Sequence, residues 1–131
     1  MRTPSFSLHT TLKSKLPRLP FSRIKDAVAG KNFSVGLVFV GPKKGATLNR
    51  TYRGKNYVPN VLSFPLSPSS GEIFIVLSKA VSEAAAYKMK PNDFLIYLFI
   101  HALFHLKGYA HGSKMEREER KVLARFGVRR I

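Results

Sequence analysis

The sequence predicts an α+β fold, a small four-stranded sheet with about five helices packed on it. Three observations lead there. Four short runs, at residues 6–8, 33–40, 61–65 and 72–77, are apolar in alternation or rich in β-branched and aromatic residues, as strands are. Between and after them lie segments whose apolar residues recur at helical spacing. One of these, Phe94 to Leu106, is apolar all round and therefore belongs at the centre of the fold.

In chain order, Phe6 and Leu8 alternate with Ser5, Ser7 and His9, which predicts an opening strand with His9 turned away from the core. Lys13 to Pro20, with two prolines, is expected to be a loop. Ser22 can cap a short helix whose buried stripe is Ile24, Ala27 and Val28, and Gly30 can close it. Phe33, Val35, Leu37 and Phe39 alternate, and Val38 and Val40 fill the other face, so a largely buried strand ends near Gly41. Strand, helix and strand in that order form the pattern of a parallel crossover. Gly41-Pro42-Lys43-Lys44-Gly45 reads as a connection, and Ala46 to Arg53 as a helix with Leu48 and Tyr52 on one face. Gly54 to Pro59 is loop. Val61–Pro65 and Glu72–Leu77 flank Ser67-Pro68-Ser69-Ser70-Gly71, a hairpin with a medium loop. Lys79 to Lys88 is alanine-rich and helical, and Pro91 suits the first turn of the apolar helix that follows. Ser113 and Glu116 form a capping box for a last helix, with Met115, Val122, Leu123 and Phe126 inward and Gly127 at its end. No repeat or linker interrupts this order, so residues 1–131 are expected to form one domain.

With 44% hydrophobic residues the chain can build a core, which favours a folded globule over disorder. Twenty-three Lys and Arg against seven Asp and Glu give a formal charge of +16, spread from Arg2 to Arg130. Such a surface attracts polyanions and hinders cationic substrates; nucleic acid is the leading partner class and anionic membrane the competitor. The chain has no cysteine, which excludes a disulfide framework and a thiolate metal site. Near the N-terminus Ser5-Phe6-Ser7-Leu8 alternates where a secretory signal would be continuously apolar. The longest apolar stretch is too short to span a bilayer and contains two histidines. The expectation is a soluble, cytoplasmic protein that is not membrane-bound.

Three of the four histidines lie between residues 101 and 111, in the segment His101-Ala102-Leu103-Phe104-His105-Leu106-Lys107-Gly108-Tyr109-Ala110-His111. The first pair, four residues apart, projects from one face of the apolar helix. Taken alone, such a pair is as well explained by two satisfied core histidines. Gly108, however, can end the helix in a left-handed conformation and turn the chain back, which brings His111 toward the same point. Two imidazoles from a helix and one from the next loop then form a three-nitrogen site with a position left open, suited to a divalent metal and to zinc above others.

The residues around that site restrict its chemistry. Zinc peptidases place a glutamate directly after the first histidine to take a proton from water. That position is Ala102, and neither Asp93, two turns earlier, nor Glu116, on the next helix, replaces it. Phosphodiester cleavage instead needs cationic stabilisation of the phosphate, which arginine supplies bidentately. Arg53 is a candidate, although among 23 basic residues any one arginine is equally a solvated surface side chain.

The histidine segment resembles the signature of the YbeY-type endoribonuclease family, whose members are also called rRNA maturation factors. That family's pattern, His-Gly-x-Leu-His-Leu-x-Gly-Tyr-Asp-His, is matched in register by His101, His105, Leu106, Gly108, Tyr109 and His111. Leu48-Asn49 followed by Tyr52-Arg53 is similar to the family's Leu-Asn-x-x-Tyr/Phe-Arg helix. Val61-Leu62-Ser63-Phe64-Pro65 is similar to its Asp-Val-Leu-Ser-Phe-Pro strand, and Gly71-Glu72-Ile73 stands where Gly-Asp-Ile is usual. Order and spacing agree from Leu48 to His111, about half of the chain. The resemblance implies an α+β fold with a small mixed sheet and one Zn2+ bound by His101, His105 and His111. It implies single-strand-specific RNA cleavage in small-subunit rRNA maturation and ribosome quality control, with the ribosomal small subunit and assembly factors as partners. The catalytic residues it implies are the three histidines and Arg53, which would stabilise the phosphate beside the metal. Ser63 and Phe64 would join Arg53 in binding substrate, and plain sheet packing explains that pair equally well.

The departures from the family pattern bear on activity. Gly after the first histidine is Ala102, which raises helix propensity. Asp before the last histidine is Ala110, so an acceptor that would orient His111 is missing unless a backbone carbonyl replaces it. Thr-Asp before Val-Leu-Ser-Phe is Pro59-Asn60. Two rivals follow: a metallopeptidase-like hydrolase, and a catalytically idle, zinc-containing assembly factor that binds rRNA.

Overall fold

The computed structural model describes residues 5–129; Arg2 and Arg130, the ends of the basic distribution, lie outside them. The alternation from Phe33 to Phe39 does produce a central strand, β2 (Ser34–Val40), flanked by β1 (Phe6–Thr10) and β4 (Ser70–Val76). β3 (Val61–Ser67) completes a sheet in the order β1-β2-β4-β3. β1 and β4 run parallel to β2, and β3 runs antiparallel to β4, so the sheet is mixed. Around it lie α1 (Phe21–Ala29), α2 (Pro42–Arg53), α3 (Leu77–Glu83), α4 (Pro91–Leu106) and α5 (Ser113–Arg125). A 3-10 turn, Ala84–Tyr87, follows α3.

Registry puts Leu37 beside Ile73 and Phe39 beside Ile75, so one face of the sheet is continuous hydrocarbon. α1 and α4 cover that face. Phe99 of α4 meets Phe6 and Phe21 edge-on at ring separations of 6.1 and 5.2 Å, a geometry that aromatic quadrupoles favour. α4 is buried on every side from Phe94 to Ile100, as its composition requires. α2 lies on the opposite face, where Gly45 allows its backbone to approach Val76 of β4.

Several element boundaries differ from the sequence expectation, each for a local reason. Ser22 does not cap α1; the helix begins at Phe21, after Pro20, because the Phe21 ring is packed against Phe39 and Phe99. Lys25 is 0% exposed, and its ammonium donates to the carbonyls of Gly30 and Phe33 at 3.0 and 2.9 Å. α2 starts at Pro42 and absorbs the expected connection, since proline at the first helical position gives up no needed hydrogen bond. The hairpin is tighter than expected: Ser67 pairs with Ser70 across Pro68-Ser69, and their hydroxyls meet at 2.7 Å. The alanine-rich segment narrows to the 3-10 turn and ends at Lys88, whose φ of 56° leaves the helical region as the Lys88 and Met89 amides close back on the Ala85 and Ala84 carbonyls. Gly112, not a serine hydroxyl, precedes α5, and the capping box of Ser113 and Glu116 is not formed. Leu8 is 41% exposed because β1 is an edge strand.

Candidate metal centre and cleft

His101 and His105 occupy the last turns of α4. The chain then reverses at Gly108, whose φ of 92° is open to glycine, and the amide of Tyr109 donates to the Phe104 carbonyl at 3.0 Å. The Tyr109 ring packs edge-on against Phe104, 5.0 Å between centroids, which fixes the return. His111 comes back onto the other two rings, at 5.1 Å from His101 and 4.4 Å from His105. One nitrogen of each of the three rings lies within 4.8 Å of the others, so His101, His105 and His111 can hold a metal ion.

The second nitrogens decide how the first are presented. His101 Nδ1 donates to Glu119 Oε2 at 2.5 Å, and His105 Nδ1 donates to the Tyr109 carbonyl at 3.1 Å. With those protons turned outward, Nε2 of both rings carries a lone pair, and the two face each other at 3.1 Å. Facing lone pairs repel unless a cation lies between them. Tetrahedral binding at about 2.0–2.1 Å sets ligand nitrogens roughly 3.3 Å apart, so the observed spacing fits such an ion. Burial, reinforced by the neighbouring His101 ring, lowers the pKa of His105 below its ordinary value against the raising effect of the Tyr109 carbonyl. A lowered pKa keeps the ring neutral, the form that binds metal. The residues present fit the group.

Glu119 is the site residue that the sequence reading missed. It is 2% exposed, on the inward stripe of α5 between Met115 and Val122. A carboxylate in an apolar stripe was the available signal, since buried charges are found paired. His111 makes no hydrogen bond among the described residues, so no carbonyl replaces the acid absent at Ala110.

The triad opens onto a cleft of about 760 Å³ that Arg53, Ser63 and Tyr87 also line. Arg53 ends α2 just before Gly54, whose φ of 65° terminates the helix. Asn49, one turn earlier and fully buried, donates to the Tyr57 carbonyl at 3.0 Å and so secures the loop that forms this wall. Strand alternation separates the predicted substrate pair: Ser63 lines the cleft, whereas Phe64 faces the other side, 5.6 Å from Tyr52 and 5.8 Å from Phe74. Ala102 lines the cleft where a zinc peptidase would carry its glutamate. Asn60, in place of the family acid, donates to Glu83 at 3.0 Å, and Lys79 pairs with the same carboxylate at 3.5 Å.

Comparison with known proteins bears on this arrangement. A family model described as Endoribonuclease YbeY matches residues 9–127. A protein named Endoribonuclease YbeY from Alkaliphilus metalliredigens is 36% identical over 113 residues, 74% of this chain and 73% of that protein. Proteins of the same name from Spiroplasma citri and Finegoldia magna are each 32% identical. The first match covers 85% of this chain and 82% of the relative, the second 97% and 91%. The solution structure of TM1509 from Thermotoga maritima superposes with a TM-score of 0.65 over 90% of this chain and 86% of that one; at 19% identity it speaks for the fold alone.

Proposed function

The chain belongs to the YbeY endoribonuclease family, and from that premise we propose that it is a zinc-dependent endoribonuclease cutting single-stranded RNA. Its place would be small-subunit rRNA maturation and ribosome quality control in the cytoplasm, with residues 1–131 acting as one domain. None of the described helices is long and apolar enough to cross a membrane.

The observation that carries this reading is the pair of Nε2 lone pairs held face to face, with His111 beside them and Arg53 on the same cleft. When bound there, a divalent cation supplies Lewis acidity and lowers the pKa of water. The chain's own residues do the rest. Glu119 and the Tyr109 carbonyl fix the tautomers of His101 and His105. The Arg53 guanidinium offers paired donors to a phosphate as charge grows on its oxygens. Ser63 adds a hydroxyl on the strand wall. Phe64, turned to the other face of the sheet, packs on Tyr52 and Phe74 and is not proposed to touch substrate.

Ala102 argues against peptide hydrolysis by the glutamate-assisted route. The assembly-factor reading draws on Ala110 and Asn60, the missing acids. An RNA with single-stranded and duplex regions, offered beside a protein substrate, separates the three. The expected result is RNA cleavage that Arg53→Ala reduces by about 10²-fold or more with fold and metal content unchanged, while His101→Ala lowers metal content. Protein cleavage without RNA cleavage supports the peptidase; RNA binding with no cutting by wild type or variant supports the assembly factor.

A further inference from the structure

The cleft contains aromatic surface that neither metal binding nor phosphate binding uses. Tyr87, on the 3-10 turn, lines the cleft and is 45% exposed. One face of its ring is stacked on Phe94, with centroids 4.8 Å apart and planes at 27°. Phe94 is in turn stacked on Tyr97 at 6.0 Å and 24°, and Tyr97 lies 5.7 Å from His101 at 35°. Four rings thus run from an open phenol to the first metal-binding imidazole. Phe94 and Tyr97 are buried, so Tyr87 is the one rung to which another planar group can be added. Its position is fixed from behind: the amides of Lys88 and Met89 donate to the carbonyls of Ala85 and Ala84 at 2.9 and 3.0 Å, and Met89 is buried.

We propose that the free face of Tyr87 is a nucleobase-stacking subsite that holds one unpaired base of the RNA while the adjoining backbone lies between Arg53 and the histidines. The proposal rests on the nuclease reading and specifies how that cleft takes its substrate. An exposed ring in a cleft that a cationic side chain, here Arg53, also lines is the combination that binds single strands, because every base offers a flat face and the backbone is anionic. A base within a duplex has both faces covered by its neighbours and cannot enter. The polar groups near the ring, Asn60, Lys79 and Glu83, are bonded to one another. They leave few donors or acceptors for base edges, so the subsite grips the face of the base and tolerates sequence.

The test compares wild type, Tyr87→Ala and Tyr87→Phe with a single-stranded RNA and with copies carrying one abasic nucleotide at each position in turn. Binding is also read on single-stranded DNA of the same sequence, which an endoribonuclease leaves intact, so the result stands even where no RNA is cut. The chain has no tryptophan, so emission comes from its five tyrosines, and the part of the quench lost in Tyr87→Ala is the part that Tyr87 reports. The expected result is that Tyr87→Ala weakens binding about tenfold and loses part of the quench, while Tyr87→Phe retains the affinity. One abasic position should weaken wild type by a similar factor and Tyr87→Ala hardly at all. Equal binding by Tyr87→Ala and wild type, or equal loss on intact and abasic strands, overturns the subsite. A wild type that binds with quenching but cuts no RNA overturns the nuclease reading and leaves the subsite standing.

Discussion

His101 has two ring nitrogens, and the fold gives each a task. Nδ1 is committed to Glu119, which leaves Nε2 to face His105. A buried carboxylate with one imidazole partner is an expensive arrangement unless the imidazole side carries positive charge, as a bound cation would provide. Glu119→Gln should therefore keep the fold and lower zinc affinity about 10- to 100-fold, checked by competition with a chromophoric chelator; unchanged affinity would remove Glu119 from the site. His105 adds a pH dependence. The unfolded chain takes up its proton near the ordinary value of 6.5, the folded chain only at lower pH. Stability of the metal-free protein is thus fully present above 6.5 and is lost as pH falls from there toward the depressed folded value. Melting curves over about pH 5–8 check this, and a Tm that rose on acidification would contradict it. The histidines were legible because spacing and Gly108 report geometry directly. Glu119 was not, because its partner lies 18 residues away on another helix.

α2 carries no metal-binding histidine, yet it bears on the site through Arg53 at its end. It rests on β4 through Gly45, where a methyl group would press into Val76, a buried and β-branched side chain with little freedom to yield. Gly45→Ala gains about 1 kcal/mol in helix propensity and loses about 1–3 kcal/mol to overpacking. The clash should win, lowering Tm by a few degrees. Because Asn49 and Arg53 ride on this helix, cleavage should fall while metal content stays constant; a more stable and fully active variant would show that the contact relaxes freely. At this scale the existence and order of elements were readable, and their ends were not. Ser22 and Ser113 have the residue types of helix caps, yet packing of Phe21 and the turn at Gly112 set the starts two residues and one residue earlier than side-chain capping would. The loop-like Gly-Pro-Lys-Lys-Gly is helix because proline at a first turn is permissive rather than breaking.

Across the whole molecule, a charge of +16 makes RNA affinity a matter of salt as much as of contacts. Log affinity for a single strand should fall linearly with log salt, and Arg53→Ala should reduce that slope by about 0.7, the value of one phosphate. An unchanged slope would place Arg53 away from the backbone. The polyanion preference was readable from composition alone, whereas the cleft was not, since it needs α2, β3, α3 and α4 brought together. The three imidazoles differ in their mountings. Two belong to the rigid centre of the fold; the third, exposed, sits on a short arm that leaves α4 at Gly108. Were a divalent ion held there, two of its nitrogens would come from the buried helix and the third from a turn anchored to that helix by the Tyr109 ring on Phe104 and the Tyr109 amide on its carbonyl. The grip of the third imidazole would then be set by one aromatic side chain at the border of the core, so a change at position 109 would loosen the ion while leaving the helix pair in place.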